Sequence, residues 1–230
     1  MKVQWIPVKI KERLQKLDSS DYTNLECWQF VEAFNKAQLE WVRSALDPRN
    51  SKNEGAESNL KRTNDLSILL TQSTLMGVNK NEFFESQVLP EDYLQYRRLA
   101  VYAVKETCKN QKMVCDLREE ANVDELLGDH NTKPSFEWRE TFSTLIGGKL
   151  RVYKDEFNVE KTELVYYRKP INISLSNCPD ITGQLGTNID PELPDDVVEL
   201  IIDDAAAILA GDIESINQVQ ILNNRSEKNK

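Results

Sequence analysis

One histidine and four cysteines are the residues of this 230-residue chain best suited to catalysis or metal binding. His130 sits in Asp129-His130-Asn131, after Gly128 and before Pro134, a composition that predicts a surface loop. An imidazole can serve as a general base, and Asp129 adjoins it. Neighbours in sequence seldom point at each other, however, so the histidine is read as solvated. A multi-histidine metal site is excluded by count. Cys27, Cys108, Cys115 and Cys178 lack the close pairs through which one turn presents two sulfurs to a metal or to each other. They are expected to be buried free thiols, and with no export signal at the start of the chain no disulfide is expected. The carboxylates that fall together, Glu119-Glu120, Asp195-Asp196 and Asp203-Asp204, are adjacent in sequence, and adjacent residues of a helix do not face one another. Phosphate-binding, dinucleotide-binding and nucleophile-elbow motifs are absent from a chain with only 8 glycines. No catalytic residue, cofactor or metal is expected.

The elements that position these residues follow an α+β order. Ile10, Leu14 and Leu17 recur at helical spacing until Asp18-Ser19-Ser20-Asp21 breaks the pattern. Thr23 and Glu26 have the form of a capping box for a second helix over 24–46. Its stripe is Trp28, Val31, Phe34, Val42 and Ala45. Phe30 and Trp41 lie off that stripe, which leaves them either to an ordinary core or to a neighbouring subunit. The polar stretch 49–62 reads as a loop or flexible arm. Strands are expected at 66–76 (or a short helix), 99–104, 136–142, 149–153 and 162–168, with Gly147-Gly148 as a hairpin turn and one helical turn at 123–127. A long C-terminal helix then carries Val197, Ile201, Ala205, Ile208, Ile213 and Ile216, with a bend near Ala210-Gly211. The domains expected are N-terminal helices with a polar loop (1–62), a β-rich middle domain (63–180), an acidic helix packed on the N-terminal helices (181–222) and a polar tail (223–230). No stretch suits a bilayer, since the longest uncharged apolar-rich run, 66–78, is short and contains Thr71, Gln72, Ser73 and Thr74.

Charge is the most uneven property of the chain. Twenty-nine basic residues against 38 acidic ones give a net charge of −9. Residues 171–224 hold ten acids and no base, so nearly all the excess belongs to one segment. Such a segment is a solvated face, a docking surface for a basic partner, or a surface along which a phosphate backbone slides without sticking. Asp195, Asp196, Glu199, Asp203 and Asp204 are its candidate channel-facing or docking acids.

Leu164 to Pro170, Pro191-Glu192-Leu193-Pro194-Asp195-Asp196 and the helix start Val197 to Ile201 together form a strand, an Arg-Lys-Pro, a Glu-Leu-Pro and a helix. This succession resembles the C-terminal half of the head–tail connector ring proteins of tailed bacteriophages. The overall order is similar to the podovirus adaptors of the tail tubular protein A family. The Asn- and Lys-rich tail suits an AT-rich phage such as the crAss-like group. The clear match covers 164–202. A histidine often found near the start of the last helix in such proteins is replaced here by Asp196-Val197-Val198. The resemblance implies a virion protein at the head–tail interface, assembled in the host bacterial cytoplasm. It implies a homo-oligomeric ring, usually of twelve copies, which binds the portal protein, extends the channel for genomic DNA without binding it specifically, and offers a surface to the next tail or neck ring protein. Phe30, Trp41, Arg168 and Lys169 are the candidate subunit or portal contacts. A portal-distal neck ring, a metal-dependent enzyme using the clustered acids, and a host-directed binding protein are the alternatives.

Overall fold

The computed structural model describes residues 1–15, 25–46, 63–105, 108–179 and 183–212. The break at 18–21, the capping Thr23, the polar stretch 49–62, the continuation of the last helix to 222 and the tail 223–230 lie outside the described residues. The protein is α+β, as its patterning predicts. It divides into two units, Met1–Ile68 with Pro170–Lys230, and Leu69–Lys169. The strand-rich unit is thus narrower than 63–180, because residues 63–68 and 170–180 belong to the helical unit.

Among the described residues, the long helices of the helical unit are α1 (Ile6–Gln15), α2 (Cys27–Leu46) and a C-terminal helix (Asp195–Asp212) called α4 below. Ile6, Ile10 and Leu14 stand four residues apart and are all fully buried, so α1 offers one narrow apolar line. Pro7 is tolerated because the first turn needs no donor there. The buried line of α2 runs through Phe30, Ala33, Phe34, Ala37, Trp41 and Val42. It is rotated from the predicted stripe, and Trp28 and Val31 are only half-buried. Helix α4 packs on both α1 and α2. It does so with paired small and branched residues, Val197-Val198, Ile201-Ile202 and Ala205-Ala206, which bury two adjacent faces at once. The helix passes through Ala210 and Gly211 to its described end at Asp212.

The other unit is a sheet of eight strands, β1 (Leu70–Leu75), β2 (Gly77–Asn79), β3 (Phe83–Val88), β4 (Tyr93–Lys105), β5 (Cys108–Leu117), β6 (Glu140–Ile146), β7 (Lys149–Tyr153) and β8 (Asn158–Arg168), in the order β1-β8-β4-β5-β6-β7-β3-β2. Its two edge strands, β1 and β2, are consecutive pieces of chain separated by Met76 alone. One half of this bent strand pairs with β8 and the other with β3, so the sheet curls on itself like a barrel. Asn79 spans the seam: its amide donates to the Val159 carbonyl at 2.7 Å, and the Val159 N–H donates back at 2.9 Å. Gly77 is required at the bend, because a Cβ there would stand 2.1 Å from the Glu85 carbonyl oxygen. Leu75, Phe84, Leu99, Val101, Met113, Leu150 and Leu164 are among the side chains that fill the interior. Two buried hydroxyls inside it donate to backbone, Thr141 to the Tyr153 carbonyl at 2.6 Å and Thr162 to the Leu75 carbonyl at 3.1 Å.

All strand pairs are antiparallel except β5 with β6. That parallel pair needs a crossover, which is supplied by residues that include the short helix α3 (Val123–Gly128). Val123 of α3 packs with Phe142 and Tyr153, whose rings stack at 4.8 Å. The predicted Gly147-Gly148 hairpin joins β6 to β7, and both glycines have left-handed backbones (φ 57° and 71°). The strand predicted at 136–142 begins only at Glu140. Residues before it form a tight turn in which Ser135 and Glu140 exchange backbone hydrogen bonds and Arg139 adopts φ 60°.

Candidate functional site

The candidate acids of α4 do not form an open acidic face. Arg13 of α1 donates through Nε to Asp203 at 2.7 Å and through Nη2 to Glu199 at 2.9 Å. Lys9, one helical turn earlier, also pairs with Glu199. The N-terminal ammonium of Met1 pairs with Asp195. Just upstream, Asp190 accepts from the Val3 N–H at 2.8 Å and from Lys2 Nζ at 2.9 Å. Those two donors hold its carboxyl below the ordinary aspartate range. Lys9 and Arg13, one turn apart on α1, thus meet Glu199 and Asp203, one turn apart on α4, while Met1 and Lys2 ahead of α1 meet Asp195 and Asp190 at and before the start of α4. Glu199 and Asp203 are components of this clamp, which corrects their reading as open docking groups. Asp196 is exposed and Asp204 half-buried. Acids in the first turn of α4, Asp195 and Asp196, also complement its helix dipole.

Phe30 and Trp41 are corrected as well. They are 1 % and 8 % exposed, inside the helical unit. Phe30 sits beneath Lys11, whose Nζ is 5.2 Å from the ring centroid. Neither offers an apolar surface to a partner. The correction follows from the rotated stripe of α2: with Ala33, Phe34 and Ala37 inward, residues 30 and 41 fall on the same face. Arg168 and Lys169 end the strand-rich unit; Arg168 is half-buried and Lys169 exposed, with its ammonium donating to the Glu91 carbonyl at 3.1 Å.

The segment after Pro170 is held by α2 in a way the sequence did not suggest. Asn35 acts as a piece of backbone: its oxygen accepts from the Ile173 N–H at 2.8 Å and its amide donates to the Ile173 carbonyl at 3.3 Å. Gln38, one turn later, donates to the Ile171 carbonyl at 3.2 Å. Two polar residues on the edge of an apolar stripe were the available signal. The segment folds back through the Ser174 and Ile189 bridge. A cleft of about 360 Å³ between α2 and this segment is lined by Trp28, Asn35, Ile173, Leu175 and Cys178.

Cys27 and Cys178 form a disulfide with a Cα–Cα distance of 5.6 Å. This overturns the expectation of free thiols for those two. Their separation of 151 residues hid the pair, since only the fold brings the start of α2 to the returning segment. Cys115 is free and buried, as expected, and burial pushes its thiol up to about 12. His130 is exposed in the turn after α3, and the neighbouring Asp129 carboxylate accepts from the Asn131 N–H at 3.0 Å.

No protein-family model matches the chain, and no curated protein is detectably similar to it.

Proposed function

We infer that the protein is a structural subunit of the head–tail connector of a tailed bacteriophage. Copies of it form a dodecameric ring beneath the portal, extend the DNA channel and present the docking surface for the next tail or neck ring component. The ring belongs to the virion, is assembled in the host bacterial cytoplasm, and carries no catalytic role.

The observation that carries this reading is the layout. A helical unit is built from both ends of the chain, and a strand-rich unit is inserted between them. That is the order of the connectors the chain resembles. The motif residues stand at the joints of this layout. Leu164 to Arg168 end β8, Pro170 opens the second helical segment, and Pro191 to Pro194 lead into α4. The reading is tested by quantitative mass spectrometry of purified virions. The protein is expected there in the same copy number as the portal, and its absence from virions contradicts the reading.

A further inference from the structure

The segment that returns to α2 is anchored at both of its ends. Upstream, Ile173 is buried and takes both hydrogen bonds of Asn35. Downstream, Asp190 is held by the Val3 N–H and Lys2, with the buried Leu193 just beyond. Between these anchors run two arms, 174–179 and 183–189, that fold on each other. The Ile189 N–H donates to the Ser174 carbonyl at 2.9 Å, the Ser176 N–H donates to Asn188 Oδ1 at 2.8 Å, and Pro179 bridges Leu185. Gly186 lies so close to Ser174 that a Cβ would stand 2.3 Å from its Oγ. Each of these contacts joins one arm to the other.

The disulfide is a covalent tie of a different kind, from the first arm to the start of α2. Among the described residues between Ile173 and Asp190, Cys178 alone is buried. Packing beside it is incomplete, because the cleft of about 360 Å³ separates Leu175 and Pro179 from Trp28 and Val31 of α2. Arms that are closed on each other, anchored at their far ends and loosely packed on α2 can swing about Ser174 and Ile189 once the bond opens. The bond is also within reach of a reductant. Cys27 is exposed where α2 begins, whereas Cys178 is buried. Exposed disulfides are the ones that exchange readily with thiols.

We propose that Cys27–Cys178 is a redox latch on the two arms. As a disulfide it pins them to α2 and fixes one wall of the cleft. As a dithiol it lets them swing out and uncovers Trp28 and Val31, while the rest of the helical unit stays folded. The co-reactant is a small thiol of the glutathione class. Its thiolate attacks the exposed Cys27 sulfur, a mixed disulfide forms there, the bond to Cys178 breaks, and Cys178 leaves as a thiolate that takes up a proton. A second such thiolate attacks the small-molecule sulfur of the mixed disulfide. This releases Cys27, which is protonated in turn, and the oxidised small disulfide. The same two exchanges in reverse close the latch. A reducing cytoplasm therefore keeps the arms free and an oxidising medium pins them. This inference does not depend on the connector reading.

The test is hydrogen–deuterium exchange with mass spectrometry on the full-length protein, oxidised and then reduced with millimolar glutathione, at a temperature where circular dichroism shows native structure. Amides of 174–179 and 183–189 are expected to exchange about tenfold faster after reduction, while those of α4 and β8 keep their rates. Cys27→Ser should show the fast pattern without reductant, and glutathione should not change it further. Oxidised glutathione added to Cys178→Ser should modify Cys27, whereas in Cys27→Ser it should leave the buried Cys178 unmodified. Arms that exchange equally in both states overturn the proposal. So does faster exchange that spreads through α2 and α4, which would make the bond a staple of the whole unit. A bond that stays oxidised in millimolar glutathione until the protein is unfolded overturns it as well. These three outcomes are read on the wild type, so the proposal stays falsifiable even if a cysteine variant fails to fold.

Discussion

Arg13 and Ile10 lie one turn apart on α1 and show which force dominates there. Arg13 joins Glu199 and Asp203 at a partly exposed site, where such pairs contribute about 1 kcal/mol each. Ile10 is fully buried, and truncating a buried isoleucine costs about 2–5 kcal/mol. Ile10→Ala is therefore expected to lower stability more than Arg13→Ala in chemical denaturation; the reverse order would mean that the clamp, not the apolar line, holds α1. Asp190 sets a pH signature. Its folded carboxyl titrates below the ordinary value because Val3 N–H and Lys2 bind the charged form. A depressed value adds stability above the unfolded carboxyl range and loses it as pH falls through the folded one. Asp190→Asn should flatten the acid limb of the stability curve relative to the wild type, measured by melting between pH 2 and 5; parallel limbs would contradict this. Cys115, with its thiol raised to about 12 by burial, should resist alkylation in the native protein at pH 8 and react once unfolded. At this scale the sequence was a partial guide. The buried Cys115 and the exposed His130 follow from residue type and loop chemistry. The burial of Phe30 and Trp41 does not, because it depends on which face of α2 meets α4, and both faces carry aromatic residues.

Among the elements, the disulfide and the strand bend bear most weight. Cys27–Cys178 ties the start of α2 to the returning segment across 151 residues, a closure worth about 4–5 kcal/mol in the chain-entropy account. Cys27→Ser, or reductant added to the wild type, is expected to lower the melting temperature, and reductant should then have no further effect on the variant. An equal melt for all samples would show that the bond contributes nothing. Gly77→Ala should destabilise the strand-rich unit by at least about 1–3 kcal/mol, because the new methyl meets backbone of β3 and not a movable side chain. Circular dichroism melts of Gly77→Ala beside Gly147→Ala compare that clash with a left-handed turn position that has open space around it. The helices, β7, β8 and the Gly-Gly hairpin were legible because their periodicity is strong or their turn chemistry specific. Strands β3 and β5 were not, since Glu85, Ser86 and Gln87 in one, and Asn110, Gln111 and Lys112 in the other, conceal the alternation. The strand expected at 136–142 loses its first half to a turn, and no propensity marks an arginine for a left-handed backbone.

For the whole molecule, most of the excess negative charge lies in the helical unit. The base-free stretch 171–224 belongs to that unit. The α+β order was legible from the succession of patterns along the chain. The discontinuous helical unit was legible only in outline, because its closure depends on Asn35, Gln38 and the cysteine pair acting over more than a hundred residues. The candidate site was less so: positions of acids can be read from the chain, but the bases that answer them cannot. The connector reading makes one demand that no local measurement replaces. Electron microscopy of the protein mixed with the portal of the same phage should show a ring of added density beneath the portal, with one copy per portal subunit. Intact portals and folded protein with no added density would contradict it.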